Sequence, residues 1–147
     1  MLHRRSLISK ILLALDDSAC APRVAAVGGL VATRFGASLH PVRVVPARPG
    51  TSTNDALPEH QLREAAASIG DLARSFMDAM VAPPRVRVGD PWRVLVELAG
   101  EMEVDMIVLG ARGHGEAPLG STAQGVLQHA TQDVLVVRDI LLRRSAP

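Results

Sequence analysis

A single cysteine, Cys20, stands in 147 residues, so no disulfide can form within the chain. Aromatic side chains are nearly absent: Phe35, Phe76 and Trp92, with no tyrosine. A protein that stacks the bases of single-stranded nucleic acid needs more of them. Lys10 is the only lysine, which removes the usual phosphate-binding ammonium of a P-loop. Neither sign of charge dominates: sixteen basic residues face fifteen acidic ones, for a net charge of +1. Such a balance does not steer a protein toward nucleic acid or anionic lipid. No apolar run approaches the ~20 residues that span a bilayer. The histidines His3, His40, His60, His114 and His129 show no metal-ligand spacing. No nucleophile elbow or Ser/His/Asp order appears. Together these absences point to a cytoplasmic protein without a nucleic-acid or membrane partner and without a resident metal site.

What is present is apolar and evenly spread. Hydrophobic residues make up 48% of the chain. The length suits one domain, large enough to bury a core without disulfide or metal. Its core is expected over about residues 8–138, with 1–7 and 139–147 as flexible tails. Residues 46–56, rich in Pro, Gly, Ser, Thr and Asn, read as a mobile surface loop.

Short apolar runs alternate with helical periodicity. Ile11 to Leu15, Leu39 to Val45, Val86 with Val88, Met106 to Leu109 and Val134 to Val137 read as five strands. The first is uninterrupted, as in a strand buried on both faces of a parallel sheet. Pro41 argues for an edge strand or an early strand position. Val24, Val27, Leu30, Val31 and Phe35 follow helical spacing, with Ser18 or a neighbour as cap and Gly36 as the stop. Leu62 to Phe76 marks a second helix. Asp90-Pro91 opens a third, facing inward through Val94, Leu95, Leu98 and Met102. Ser121 to Gln124 has capping-box spacing before a short helix through Val126, Leu127 and Ala130. Such alternation implies right-handed crossovers and helices on both faces of a parallel sheet.

Open α/β sheets bind ligands beyond the carboxyl ends of their strands. The first strand ends in Asp16-Asp17. The fourth runs into Gly110-Ala111-Arg112-Gly113-His114-Gly115, with Gly120-Ser121 at the next helix start. Glycines let backbone approach a phosphate, and a helix N-terminus attracts anions. Arg112, Ser121 and His114 could add donors, and Asp16 could accept from a ribose hydroxyl. A second reading of the same residues stays open. The glycines then only make turns, Ser121 caps a helix and Arg112 is solvated.

These blocks, taken in order, resemble the universal stress protein family over roughly residues 8–138. They are Ala14-Leu15-Asp16-Asp17-Ser18, Val86 to Pro91, Val104 to Gly110, Gly120-Ser121 with Val126 to Ala130, and Val134 to Arg138. The resemblance implies a five-stranded parallel sheet in order 3-2-1-4-5, of the adenine-nucleotide alpha hydrolase-like kind. It also implies a cleft between strands one and four that holds ATP, with or without Mg2+. By position, Asp16 would contact the ribose, Val44 would offer its backbone to the adenine, and Gly110, Gly113, Gly120, Ser121 and Thr122 would hold the phosphates. Ala14, Leu15, Leu109 and Arg112 complete the expected cofactor-binding set. ATP-binding members carry nine residues between the second glycine and the Gly-Ser pair. Here six residues separate Gly113 from Gly120, and Glu116 adds a negative charge.

Two functions follow as expectations. The first is a stress-response binding module, regulatory rather than enzymatic, with at most slow ATP hydrolysis. The alternative is an interaction protein of the same fold whose shortened glycine loop no longer binds nucleotide. Val134 to Val137 would form an apolar sheet edge, and exposed edges invite pairing. A homodimer through that strand is expected, together with a further protein partner of unknown identity.

Overall fold

The computed structural model describes residues 7–47, 57–77, 80–113 and 118–138. The expected 46–56 loop from residue 48 onward, both tails, His3, His114 and Glu116 lie outside the described residues. Among the described residues five strands alternate with four helices: β1 (Lys10–Ala14), α1 (Ala21–Phe35), β2 (Ser38–Pro46), α2 (Glu59–Arg74), β3 (Arg85–Gly89), α3 (Pro91–Glu101), β4 (Met106–Gly110), α4 (Ser121–His129) and β5 (Asp133–Val137). All neighbouring strands are parallel, in the order β3-β2-β1-β4-β5.

The two-residue period of β1 divides the core. Ile11 and Leu13 pack with Leu39, Val108, Val24, Ala25 and Ile69, under α1 and α2. Leu12 packs with Val42, Ile107, Leu109, Leu95, Leu98 and Val126, under α3 and α4. Because β1 and β4 are buried on both faces, they read as unbroken apolar runs. No polar or charged residue is buried among the described residues.

Several local expectations are corrected. Leu30 and Phe35 of α1 are 57% and 42% exposed rather than inward. The buried face is Ala21, Val24, Ala25, Gly28, Gly29 and Ala32. These small residues let α1 lie close against the sheet, which leaves the two large ones no room beneath it. Leu127 also faces out. Ser18 does not cap α1, whose N-cap is Cys20; Gly36 does end it, at φ 65°. The capping box is not formed: Gly120 is the N-cap of α4, and the Gln124 side-chain amide donates to the Leu119 carbonyl at 2.8 Å. Helix α2 stops at Arg74, short of Phe76.

Pro41 is fully buried in an interior strand, not an edge. Leu39 exchanges bonds with Met80 and Ala82 on the β3 side, whereas the Val42 carbonyl accepts from Leu15 on the β1 side. Alternation therefore turns the Pro41 nitrogen toward the β3 side, beside Pro83-Pro84 and before pairing resumes at Val42 and Arg85. No ladder bond is lost there, which is why the proline is tolerated.

Candidate functional site

The middle of the sheet is notched at its carboxyl end. β1 makes its last pair with β2 at Ala14 and Val42, and with β4 at Leu13 and Val108. The outer pairs continue, to Pro46 and Gly89 on one side and to Gly110 and Val137 on the other. Connections change direction between β1 and β4, so the notch falls at the topological switch point of the sheet. It opens a cleft of about 310 Å³. Leu15 N–H reaches the Val42 carbonyl at 2.9 Å as the last bond of that ladder. Two residues on, Val44 turns its backbone to the same side, past the end of β1, and lines the cleft.

The chain leaving β1 sends two adjacent carboxylates to opposite walls. Asp16 Oδ1 accepts the Ser18 N–H at 2.9 Å, which fixes the side chain. Its Oδ2 faces Gly113, where an added Cβ would lie only 3.1 Å away. A glycine at 113 is thus what lets the loop after β4 come this close. Asp17 turns instead toward β2 and pairs with Arg43 at 3.4 Å. Arg43 also lines the cleft.

The glycine loop is closed at its base. Ala111 N–H donates to the Val137 carbonyl at 2.8 Å, and its own carbonyl accepts from Gly120 N–H at 2.6 Å. Helix α4 begins there with no side-chain cap bond. The first-turn N–H groups of any helix lack partners within it. Here they belong to Ser121, Thr122 and Ala123, which all line the cleft.

The eleven residues expected at the site, Ala14, Leu15, Asp16, Val44, Leu109, Gly110, Arg112, Gly113, Gly120, Ser121 and Thr122, surround this one cleft. Other candidates are elsewhere. His40 bonds Ser38, and His129 stacks on Trp92 with ring centroids 4.3 Å apart. Cys20 does not line the cleft. Sequence reasoning missed Arg43 with its partner Asp17, and the rim residues Ala21, Pro91 and Leu95. A lone arginine inside an apolar strand, level with two aspartates leaving the next strand, was the available signal. Among the described residues no group of three His, Cys, Asp or Glu side chains could hold a metal ion. No described helix is long and apolar enough to cross a membrane.

Fold and cleft define the class: an open α/β domain with a ligand cleft at its switch point. The chain belongs to the universal stress protein family, whose model matches residues 8–138. It is similar to universal stress protein G of Salmonella typhimurium, 35% identical over 83 residues, 54% of this chain and 58% of the relative. The match thus spans little more than half the length of that relative. Universal stress protein UspA from Lactobacillus plantarum superposes with a TM-score of 0.72 at 27% identity, over 89% of this chain and 98% of that one. A universal stress protein solved in complex with cAMP superposes equally well, TM-score 0.72, at 23% identity over 90% and 98% of the two chains. One from Archaeoglobus fulgidus in complex with dAMP gives 0.67, at 22% identity over 90% and 99%.

Proposed function

We propose that this chain is a non-enzymatic binding module that takes an adenine nucleotide into the cleft between β1 and β4. One observation carries the reading. A free helix start, a fixed carboxylate and an unpaired stretch of strand backbone meet in one cleft of about 310 Å³. That volume is at the small end of ligand pockets, roughly 300–1,000 Å³. The α4 N-terminus attracts phosphate, because its N–H groups and the helix dipole both favour an anion. Asp16 accepts from a ribose hydroxyl. Val44 offers backbone N–H and C=O to the edge of a base. The relatives solved with cAMP and dAMP support the same ligand class. ATP, with or without Mg2+, is the nucleotide that the sequence resemblance singles out.

Calorimetry on nucleotide-stripped protein tests this. Binding in the micromolar range, near −8 kcal/mol, is expected for at least one adenine nucleotide. No heat with any of them at millimolar concentration would favour the second reading, an interaction protein that has lost its ligand. The shortened loop, six residues between Gly113 and Gly120, and the added charge of Glu116 favour that reading.

We also propose a homodimer through β5, an edge strand of the sheet. Ala111 bonds Val137, so alternation points the Val136 N–H to the open edge. Proline is tolerated at such an edge position but removes its donor. Val136→Pro should therefore give a folded monomer by light scattering; an unchanged dimer refutes pairing through this edge.

A further inference from the structure

At the mouth of the cleft, one ion pair differs in kind from others on the surface. Arg63–Glu59, Arg74–Asp71 and Arg93–Asp90 each join residues three or four apart along one helix or its cap. Such pairs steady an exposed helix surface. Asp17–Arg43, at 3.4 Å, instead joins the turn after β1 to the strand β2. Its arginine side chain is 21% exposed, against 76%, 53% and 66% for the other three. Arg43 is thus part-buried where those arginines are solvated.

The place of the pair gives it a task. β1 makes its last pair with β2 at Ala14 and Val42, while β2 runs on to Pro46. Asp16 and Asp17 therefore lie where strand pairing no longer fixes them against β2. Two ties bridge the gap. The Leu15 N–H donates to the Val42 carbonyl at 2.9 Å, and the Asp17 carboxylate meets the Arg43 guanidinium. On the β1 side the ties fall at residues 15 and 17, one on either side of Asp16. On the β2 side they fall at residues 42 and 43, directly before Val44. The Ser18 N–H steadies Asp16 within its own turn, but that bond does not refer it to β2. Val42 and Val44 pack toward α3 and α4. Alternation turns the Arg43 side chain to the opposite face, so it braces β2 from behind the two valines.

We infer that Asp17 and Arg43 are positioning residues, whose pair fixes the spacing between the Asp16 carboxylate and the Val44 backbone. The inference rests on the proposed nucleotide binding, in which Asp16 meets the ribose and Val44 the base. A nucleoside spans both groups, so both contacts form together only at a matching spacing. Holding that spacing before the ligand arrives lowers the cost of binding. With Asp17 62% exposed, the pair adds little to stability. Breaking it should therefore move affinity more than the unfolding midpoint.

The test is calorimetry of the full chain with adenosine, which carries no charge, so that a charge change in the cleft does not act on the ligand directly. Wild type, Arg43→Met, Asp17→Asn and the double variant are compared. Each single variant should bind adenosine severalfold more weakly, with a urea midpoint close to wild type. The double variant should be no weaker than either single one, because each substitution breaks the same pair. Raising the ionic strength from about 0.01 M to about 1 M shortens the screening length about tenfold. Wild-type affinity should then fall toward that of Arg43→Met, which should itself stay flat. Single variants that bind adenosine as tightly as wild type overturn the inference and leave nucleotide binding standing. Losses that add in the double variant overturn it too, since each side chain then acts on its own. So does a salt response shared by wild type and Arg43→Met. Wild type that binds AMP but not adenosine overturns the inference alone. Wild type that binds neither adenosine nor any adenine nucleotide overturns the proposed function as well.

Discussion

At the amino-terminal end of the sheet, Asp105 Oδ2 accepts three hydrogen bonds, from Ser9 N–H at 2.9 Å, Ser9 Oγ at 2.9 Å and Lys10 N–H at 3.0 Å. Lys10 Nζ closes the last turn of α3 nearby, on the Met102 carbonyl at 2.7 Å. At the carboxyl end the pattern reverses. Helix α4 starts uncapped, and β1 stops while its neighbours continue. Side chains at one end satisfy the backbone; at the other end the α4 first turn and the Val44 backbone are left facing a cleft. Both ends belong to the same strands, so neither propensity nor hydrophobic pattern separates them. The separation is between stability and binding, and substitutions can probe it.

The largest effect should break that separation. Gly125 of α4 lies on the Trp92 ring so closely that an added Cβ would overlap it. Trp92 is itself held between His129, stacked at 4.3 Å, and the Arg93 guanidinium, 4.7 Å from its centroid. A shift of the ring would break these contacts. Gly125→Ala should cost about 3 kcal/mol, the upper range for overpacking, measured by urea unfolding. It should also weaken adenine-nucleotide binding, because a shift of α4 moves the first turn that carries the proposed phosphate seat. Full affinity in a destabilised variant would show that the seat does not depend on this mount.

The next two sharpen the comparison from opposite ends. Asp105→Ala removes an acceptor of three bonds and should cost about 2 kcal/mol, since bonds to a charged group are worth roughly 1.5–3. Nucleotide affinity should not change. Those same bonds, that of the Ser9 N–H first, hold the Asp105 carboxyl below its ordinary 3.8. Its contribution is therefore present at neutral pH and lost as pH falls below 3.8. Gly113→Leu is the mirror case. A side chain there presses on Asp16 Oδ2 and pulls it from its bond with Ser18. Affinity should fall about tenfold, near 1.4 kcal/mol, with the unfolding midpoint almost unmoved. Loss of stability without loss of affinity would place Gly113 with the scaffold.

How much of this the sequence reveals depends on what the residues interact with. Strand and helix placement follow from apolar runs, because each strand of the centre is buried on both faces, whereas the strand order comes from the family resemblance. The buried face of α1 does not follow, because hydrophobic periodicity gives weight to Leu30 and Phe35 and none to Gly28 and Gly29. Pro41 misleads because its cost depends on which neighbour its nitrogen faces, and that is a property of the ladder. At the site, backbone positions such as Gly113 and Val44 are legible through family resemblance. The Asp17–Arg43 pair is not, since it joins two strands through side chains whose meeting only the register determines.

The smallest effect tests whether the amino-terminal end is wholly structural. His40 of β2 donates to or accepts from Ser38 Oγ at 2.9 Å. Burial first, then Lys10 on β1 and Arg85 on β3, hold its pKa below the ordinary 6.5. The folded state therefore resists the proton that the unfolded chain accepts. Above 6.5 both states are neutral and nothing is lost. As pH falls below 6.5 the unfolded state protonates first and stability drops, until the folded imidazole also protonates and the loss levels off. Asp105 acts in a window that opens lower, below 3.8. Unfolding midpoints measured from about pH 7 to about pH 5, the range where histidine changes charge, should fall in the wild type and stay flatter in His40→Gln. Adenine-nucleotide affinity over the same range should be the same in both proteins. If it falls in the wild type and not in His40→Gln, the two ends of the sheet are coupled, and the division of labour between them fails.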